Sequence, residues 1–251
     1  MRPVKIKYKQ SGVYSLHLHV FEPDRNKYSG NRPAMLYFFG GGFVNGSPEQ
    51  FYPHCQHFAR NGFVAVSVEY RVKSLHGTSP FDSVEDGISA MRWLRSHTHE
   101  LSIDPSRIVA AGGSAGGHVV LSSTLFGEAS EMPNAWILFN PVVDTTATGY
   151  KIGLPLFEGR ERERSPVHHV RSGLPPTLIF HGTADEVSPY ESVERFQQEM
   201  LAQGNTCQMV TFEGRGHGFF NLGRPNTSIE DYEATLHEAE QFLKSLHYPF
   251  D

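Results

Sequence analysis

Apolar residues follow two rhythms along this chain. Short unbroken runs at Ala34-Met35-Leu36-Tyr37-Phe38-Phe39, Phe63 to Glu69, Arg107-Ile108-Val109-Ala110-Ala111, Ala135-Trp136-Ile137-Leu138-Phe139 and Thr177-Leu178-Ile179-Phe180 predict strands buried on both faces. Tyr14 to Phe21 alternates and stops at Glu22-Pro23, which predicts an early strand with one buried face, and Thr206 to Phe212 predicts the last strand. His17 and His19 share a face of that early strand; with no third ligand spaced to join them, a solvated face is expected and no metal.

Between the runs lie helix signals. Ser47-Pro48-Glu49-Gln50 reads as an N-cap, a proline at the first helical position and a glutamine at the third, opening a helix that ends at Asn61-Gly62. Ser79-Pro80 opens another, with Val84, Ile88, Met91 and Leu94 on one side. Ser188-Pro189-Tyr190-Glu191 repeats the cap signal, and Thr227 with Glu230 opens a closing helix, apolar at Ile229, Tyr232, Leu236, Ala239, Leu243 and Leu246. Strands alternating with helices predict an α/β fold: a mostly parallel central β-sheet, helices on both faces, and function at the carboxyl ends of the strands. The irregular stretch 144–175, with its charge run Gly159-Arg160-Glu161-Arg162-Glu163-Arg164, reads as a small lid or insertion. With no repeat, low-complexity tract or linker, residues 1–251 are expected to form one domain.

Composition narrows the function classes. A formal charge of −5, from 22 Lys+Arg against 27 Asp+Glu, provides no basic field and excludes a nucleic-acid partner, and no apolar run is long enough for a membrane span. Cys55 and Cys207 form neither a disulfide framework nor a metal-binding pair. The first residues, Met1-Arg2-Pro3-Val4-Lys5, lack the apolar core of a signal peptide, so a cytoplasmic protein or a mature form cut from its leader is expected. Oligomeric state is not encoded in any pattern here.

The chemistry gathers around Gly112-Gly113-Ser114-Ala115-Gly116. This G-x-S-x-G follows a predicted strand and precedes a predicted helix, the context in which a sharp turn lifts a serine hydroxyl clear of the backbone. Upstream lies the loop Phe39-Gly40-Gly41-Gly42-Phe43; downstream, in order, come His181-Gly182-Thr183-Ala184-Asp185 and Gly216-His217-Gly218-Phe219. The order serine, acid, histidine differs from the orders in chymotrypsin-like and subtilisin-like proteases.

With these residues in place the chain resembles the α/β-hydrolase superfamily, specifically the esterase/lipase branch related to hormone-sensitive lipase and to carbohydrate-acting esterases. The resemblance covers nearly the whole chain, including Phe21-Glu22-Pro23, the loop from Phe39 to Ser47, Glu69-Tyr70-Arg71, Met91-Arg92-Trp93-Leu94, the serine turn, and the acid and histidine segments. Two departures stand out. Phe39 occupies the place where the family loop begins with histidine, and the long N-terminal cap of the hormone-sensitive-lipase type is missing, which implies an open pocket built largely from 144–175 and suited to short or projecting acyl groups.

An ester carbonyl requires a nucleophile, a base that returns its proton to the leaving group, and fixed dipoles for the oxyanion. Ser114, His217 and Asp185 are the expected nucleophile, base and orienting acid, with Asp144 and Glu186 as other candidates for the acid. Backbone amides of Gly41, Gly42 and Ala115 are the expected oxyanion hole. Phe43, Val44, Asn45, Leu154, Phe157, Phe219 and Phe220 are expected pocket residues, while His118, His181, Tyr70, Arg71 and Asp86 are expected to make local polar contacts. No metal or cofactor is called for. The expected function is a serine carboxylesterase acting on short-chain or carbohydrate-linked esters, acetyl or feruloyl. A prolyl-oligopeptidase-type peptidase usually carries an aromatic where Ala115 stands, and an inactive receptor fold would have lost one of the three side chains.

Overall fold

The computed structural model describes residues 1–224 and 227–250. In chain order the elements are β1 (Val4–Ser11), β2 (Tyr14–Phe21), β3 (Arg32–Phe38), α1 (Tyr52–Arg60), β4 (Val64–Val68), α2 (Lys73–His76) and α3 (Pro80–Ser96). There follow β5 (Ile103–Gly113), α4 (Ala115–Phe126), β6 (Ala135–Phe139), β7 (Thr177–Gly182), α5 (Tyr190–Ala202), β8 (Cys207–Phe212) and α6 (Ile229–Ser245). They build one 8-stranded sheet in the order β1-β2-β4-β3-β5-β6-β7-β8. The β1/β2 and β2/β4 pairs are antiparallel and every later pair is parallel.

Every residue of β3, β4, β6 and β7 is buried, so both sheet faces are covered, as their unbroken apolar runs require. Two helix groups do the covering. His57 of α1 bonds Glu240 of α6 at 2.7 Å and His54 meets Tyr232 edge-on, while Gly87 of α3 lets α4 approach so closely that a Cβ there would lie 2.6 Å from Val119. The apolar side chains of all these layers join in one contiguous core. Among the described residues no helix is long and apolar enough to cross a membrane.

Several local expectations change. Strand β1 has no counterpart in the expected elements; its Lys5, Lys7 and Lys9 alternate with Val4, Ile6 and Tyr8, and a lysine-bearing edge strand resists pairing with another chain. His17 and His19 do not form a solvated face: His19 is 2% exposed and bonds the Tyr52 hydroxyl at 2.6 Å, and His17 reaches Glu69 at 3.0 Å. Ser47 precedes a 3-10 turn, Pro48–Phe51, without capping it through its side chain. The Ser188 hydroxyl donates to the Pro141 carbonyl at 2.6 Å instead of capping α5, and α6 is capped one residue later than expected, by Ser228. Ser79 precedes α3 as expected, its amide donating to the Asp82 carboxylate at 2.9 Å.

The stretch 144–175 is tied down along its length by three short 3-10 turns and specific bonds. Asp144 accepts from the Thr146 amide and from the hydroxyls of Thr146, Thr148 and Ser165, and pairs with Arg195 at 3.1 Å. His118 of α4 holds the Arg164 carbonyl at 2.7 Å.

Burial and glycine packing generate two predictions. Burial drives the imidazole of His54 down to about 3 and that of His118 to about 4. Folded-state values below the ordinary 6.5 mean that the unfolded chain binds more protons, so this stability is fully present above about pH 6.5 and is lost toward the folded values, at up to about 1.4 kcal/mol per pH unit per group. Neither ring nitrogen of His54 has a partner among the described residues, so His54→Phe should flatten the loss of urea stability between pH 6.5 and 4.5; a slope identical to wild type would refute this. Gly116→Ala would put a Cβ 2.0 Å from the Phe38 carbonyl oxygen. It should cost about 3 kcal/mol or more, read as a lower urea midpoint, and a near-neutral result would contradict the packing.

Candidate active site

Ser114 stands between the last residue of β5 and the first of α4 with φ 53° and ψ −120°. Non-glycine residues seldom adopt such a backbone, and the surroundings hold it there. The Ser114 amide donates to the Phe139 carbonyl at 2.9 Å, and the Ser114 carbonyl accepts from His118 and Val142 at 3.1 and 3.2 Å. A Cβ on Gly112 would lie 2.5 Å from the Gly116 oxygen, so the strand can turn into the helix only without side chains there.

The loops after β7 and β8 bring the acid and the histidine to this turn. His217 Nε2 lies 2.8 Å from Ser114 Oγ, and His217 Nδ1 lies 2.7 Å from Asp185 Oδ2. With the ring neutral, Nδ1–H donates to the carboxylate and Nε2 accepts from the serine. Asp185 Oδ1 accepts from the amides of Val187 and Ser188, both at 2.9 Å. Burial pushes the Asp185 carboxyl up, but the His217 hydrogen bond and charge and the Ser188 amide outweigh it and hold the group below the usual carboxylate range. Of the other acid candidates, Asp144 is committed to the 144–175 anchor described above, and Glu186 is exposed.

His181 lies 3.6 Å from Asp185 but donates to the Ser188 carbonyl at 2.9 Å, and burial lowers its proton affinity despite the neighbouring carboxylate. It is a neutral support. Tyr70, Arg71 and Asp86 are structural too: buried Asp86 is gripped by Arg71 Nε at 2.8 Å and by Lys9 at 2.6 Å, and the Tyr70 hydroxyl donates to the Phe39 carbonyl at 2.5 Å. Phe39 stacks on Tyr70 with centroids 4.0 Å apart and covers Gly46. That stack orders the loop where the family histidine is absent.

A cavity of about 580 Å³ opens beside Ser114. Gly41 and Gly42 line it with positive φ values of 135° and 63°, and their amides have no acceptor among the described residues. Ala115 begins α4, where first-turn amides lack an intrahelical partner. Three unsatisfied N–H groups therefore border the serine.

Phe219 and Phe220 line the cavity, but five other expected pocket residues do not. The amides of Val44 and Asn45 turn back to the Gly41 carbonyl, and the Val44 carbonyl accepts from Ser74, so the chain after Gly42 leaves the cavity. Phe43 and Phe157 are buried together, ring edge to ring face, against His118, and Leu154 lies outside the wall on the 151–156 turn. The wall instead includes Gln50, Asn140, Tyr150, Ile152, Asn221 and Arg224. Of these only Asn140 carried a usable signal, a polar residue ending a buried apolar run; Gln50 had the look of a local helix cap. Asn140 Oδ1 accepts from the Gly218 amide at 3.0 Å, and its Nδ2 lies 3.5 Å from His217 Nε2. Tyr150 places its hydroxyl against Gly42, and burial raises its pKa, so it enters the cavity as a neutral phenol. Among the described residues no group of His, Cys, Asp or Glu side chains is arranged to hold a metal ion.

Comparison with known proteins bears on the fold and the family. A family profile described as alpha/beta hydrolase fold matches residues 35–155, and one described as TAP-like protein matches residues 157–237. The probable carboxylic ester hydrolase LipM of Mycobacterium tuberculosis is 28% identical in an alignment 210 positions long that covers 73% of this chain and 48% of LipM. Esterase LipC of the same organism is 26% identical in an alignment 246 positions long that covers 86% of this chain and 59% of LipC. The chain thus spans about half to three-fifths of the length of these two relatives. Among solved structures, Thermogutta terrifontis esterase 2 phosphonylated by sarin superposes with a TM-score of 0.91 at 39% identity, covering 98% of this chain and 95% of that one. The same esterase with propionate bound gives 0.89 at 39% identity, over 98% of this chain and 95% of that one. Fold, strand order and full-length similarity converge, and the chain belongs to the α/β-hydrolase superfamily, in its esterase/lipase branch.

Proposed function

We propose that this protein is a serine carboxylesterase, working as one α/β-hydrolase unit, that hydrolyses short-chain or carbohydrate-linked esters, acetyl and feruloyl esters among them, through an acyl-enzyme. One observation carries the proposal: the continuous chain from Ser114 Oγ to His217 Nε2 at 2.8 Å and from His217 Nδ1 to Asp185 Oδ2 at 2.7 Å, on the wall of an open cavity.

In this reading the Ser114 oxygen attacks the ester carbonyl as its proton moves to His217 Nε2. The carbonyl oxygen becomes an oxyanion facing the Gly41, Gly42 and Ala115 amides, which need not reorganise to receive it. Asp185, already ionised, stabilises the imidazolium and keeps the ring in its reactive tautomer. His217 then protonates the departing alkoxide, leaving the acyl group on Ser114. Water enters the alcohol's place, gives a proton to His217 and attacks the acyl carbon, and the collapse of the second tetrahedral intermediate returns the proton to Ser114 and frees the acid.

The walls support a small substrate of mixed polarity. Phe219, Phe220, Val187 and Ile152 offer apolar surface, and Arg224 and Thr227 offer polar groups for a hydroxylated alcohol. Binding of propionate and butyrate by the structurally similar esterase supports the short acyl preference.

The decisive test is a chromogenic ester series from acetate to decanoate, run beside an acetylated and a feruloylated sugar. Short acyl chains should be preferred, and Ser114→Ala should lower kcat by about 10³-fold or more with the fold intact. A Ser114→Ala protein with wild-type turnover would sink the mechanism.

A further inference from the structure

Gln50 occupies the position of a local helix-capping residue, yet its side chain is drawn away from Ser47. Its Oε1 accepts from the Gly40 amide at 2.6 Å, and its Nε2 donates to Asn221 Oδ1 at 2.7 Å. Asn221 Nδ2 in turn donates to the Gly218 carbonyl at 2.8 Å. One amide side chain therefore spans from the start of the Gly40-Gly41-Gly42 loop to the segment holding His217. A second, apolar rung runs beside it: Phe51 stacks on Phe220 with centroids 5.7 Å apart and planes 17° apart. Both ring tips close on Gly113, where a Cβ would meet Phe220 at 2.7 Å and Phe51 at 3.3 Å.

The position of this clasp matters because of what it joins. Among its described residues the segment between β8 and α6 contains no strand or helix, so no ladder or helix fixes His217. Gly40 packs directly on the nucleophile, a Cβ there lying 3.3 Å from Ser114 Cβ. We infer that Gln50 and Asn221 are positioning residues that lock the oxyanion loop and the His217 loop into one rigid unit, so that neither loop can shift without the other. Neither side chain takes part in bond making. Their contribution is to hold donors and base within the tolerance that the reaction demands, since a displacement on the order of 1 Å costs on the order of 10²-fold in rate.

The catalytic half of this inference rests on the esterase reading; the mechanical half does not. Gln50→Leu removes both bonds, whereas Gln50→Glu keeps the acceptor for Gly40 and removes the donor to Asn221. Asn221→Asp keeps the acceptor for Gln50 and removes the donor to Gly218, which provides a milder variant should the leucine replacement fail to fold. Hydrogen exchange measured by mass spectrometry should rise in both 38–46 and 213–224 when Gln50 is replaced. Per titrated active site, Gln50→Leu and Asn221→Leu should each lower kcat about 30-fold with KM within about threefold, and the double variant should be no worse than the worse single one. Exchange that rises in one loop alone, kcat losses that multiply, or a raised KM with unchanged kcat would each overturn the clasp. If Ser114→Ala retained turnover while exchange linked the two loops, the esterase reading would fail and the clasp would stand. Serine-dependent turnover with unlinked loops would mean the reverse.

Discussion

The constraint on which the site depends is steric: β5 must become α4 in the space of one residue. A Cβ on Gly116 would lie 2.0 Å from the Phe38 oxygen, and one on Gly112 2.5 Å from the Gly116 oxygen, so α4 seats against the ends of β5 and β3 only because those side chains are missing. The strain is concentrated at Ser114, whose positive φ is held by bonds to Phe139, His118 and Val142. From that contact the remaining geometry follows. Strand β3, parallel to β5 and next to it, delivers the glycine loop at the same end of the sheet, and β6, β7 and β8 deliver Asn140, Asp185 and His217. A parallel sheet places all of its strand ends on one rim, so distant sequence positions meet there.

Electrostatics around the rim divides the titratable groups. Asp185 is buried yet stays charged, because two amides and His217 offset its desolvation. Buried histidines are treated in the opposite way: burial lowers His181, which lies beside Asp185, and His118 and His54 elsewhere in the core, each of which serves as a neutral ring in packing or as a donor to a carbonyl. A buried imidazolium near Asp185 would compete with His217 for the carboxylate. Keeping the His181 ring neutral leaves the carboxylate's field directed at the ring that bonds Ser114.

Most of the architecture was legible because the signals were local. An unbroken run such as Ala135 to Phe139 needs cover on both faces, and G-x-S-x-G needs a strand before it and a helix after it; both are properties of a few adjacent residues. What escaped was set by partners far away in the chain. Gln50 matches a helix cap in its own neighbourhood and is claimed by Asn221, 171 positions on. His19 alternates like a solvent-facing residue and is covered by Tyr52. The aromatics beside the glycine loop failed as pocket residues for a related reason: the turn at Gly41 swings Phe43 away from the cavity into contact with His118 and Phe157, so closeness in sequence did not become closeness to the substrate space.

The same logic accounts for Phe39, the one departure from the family pattern at the site. An ordering residue at this position must fix the backbone leading into Gly40 without entering the cavity. Histidine would do so by hydrogen bonding, which depends on its protonation state. Phenylalanine does so here by packing: its ring lies parallel to Tyr70 at 13° and fills the space over Gly46, while the Tyr70 hydroxyl bonds the Phe39 carbonyl. Burial raises the Tyr70 phenol far above its ordinary range, so that bond persists wherever the protein is folded. A glycine loop ordered in this way needs no imidazole of its own.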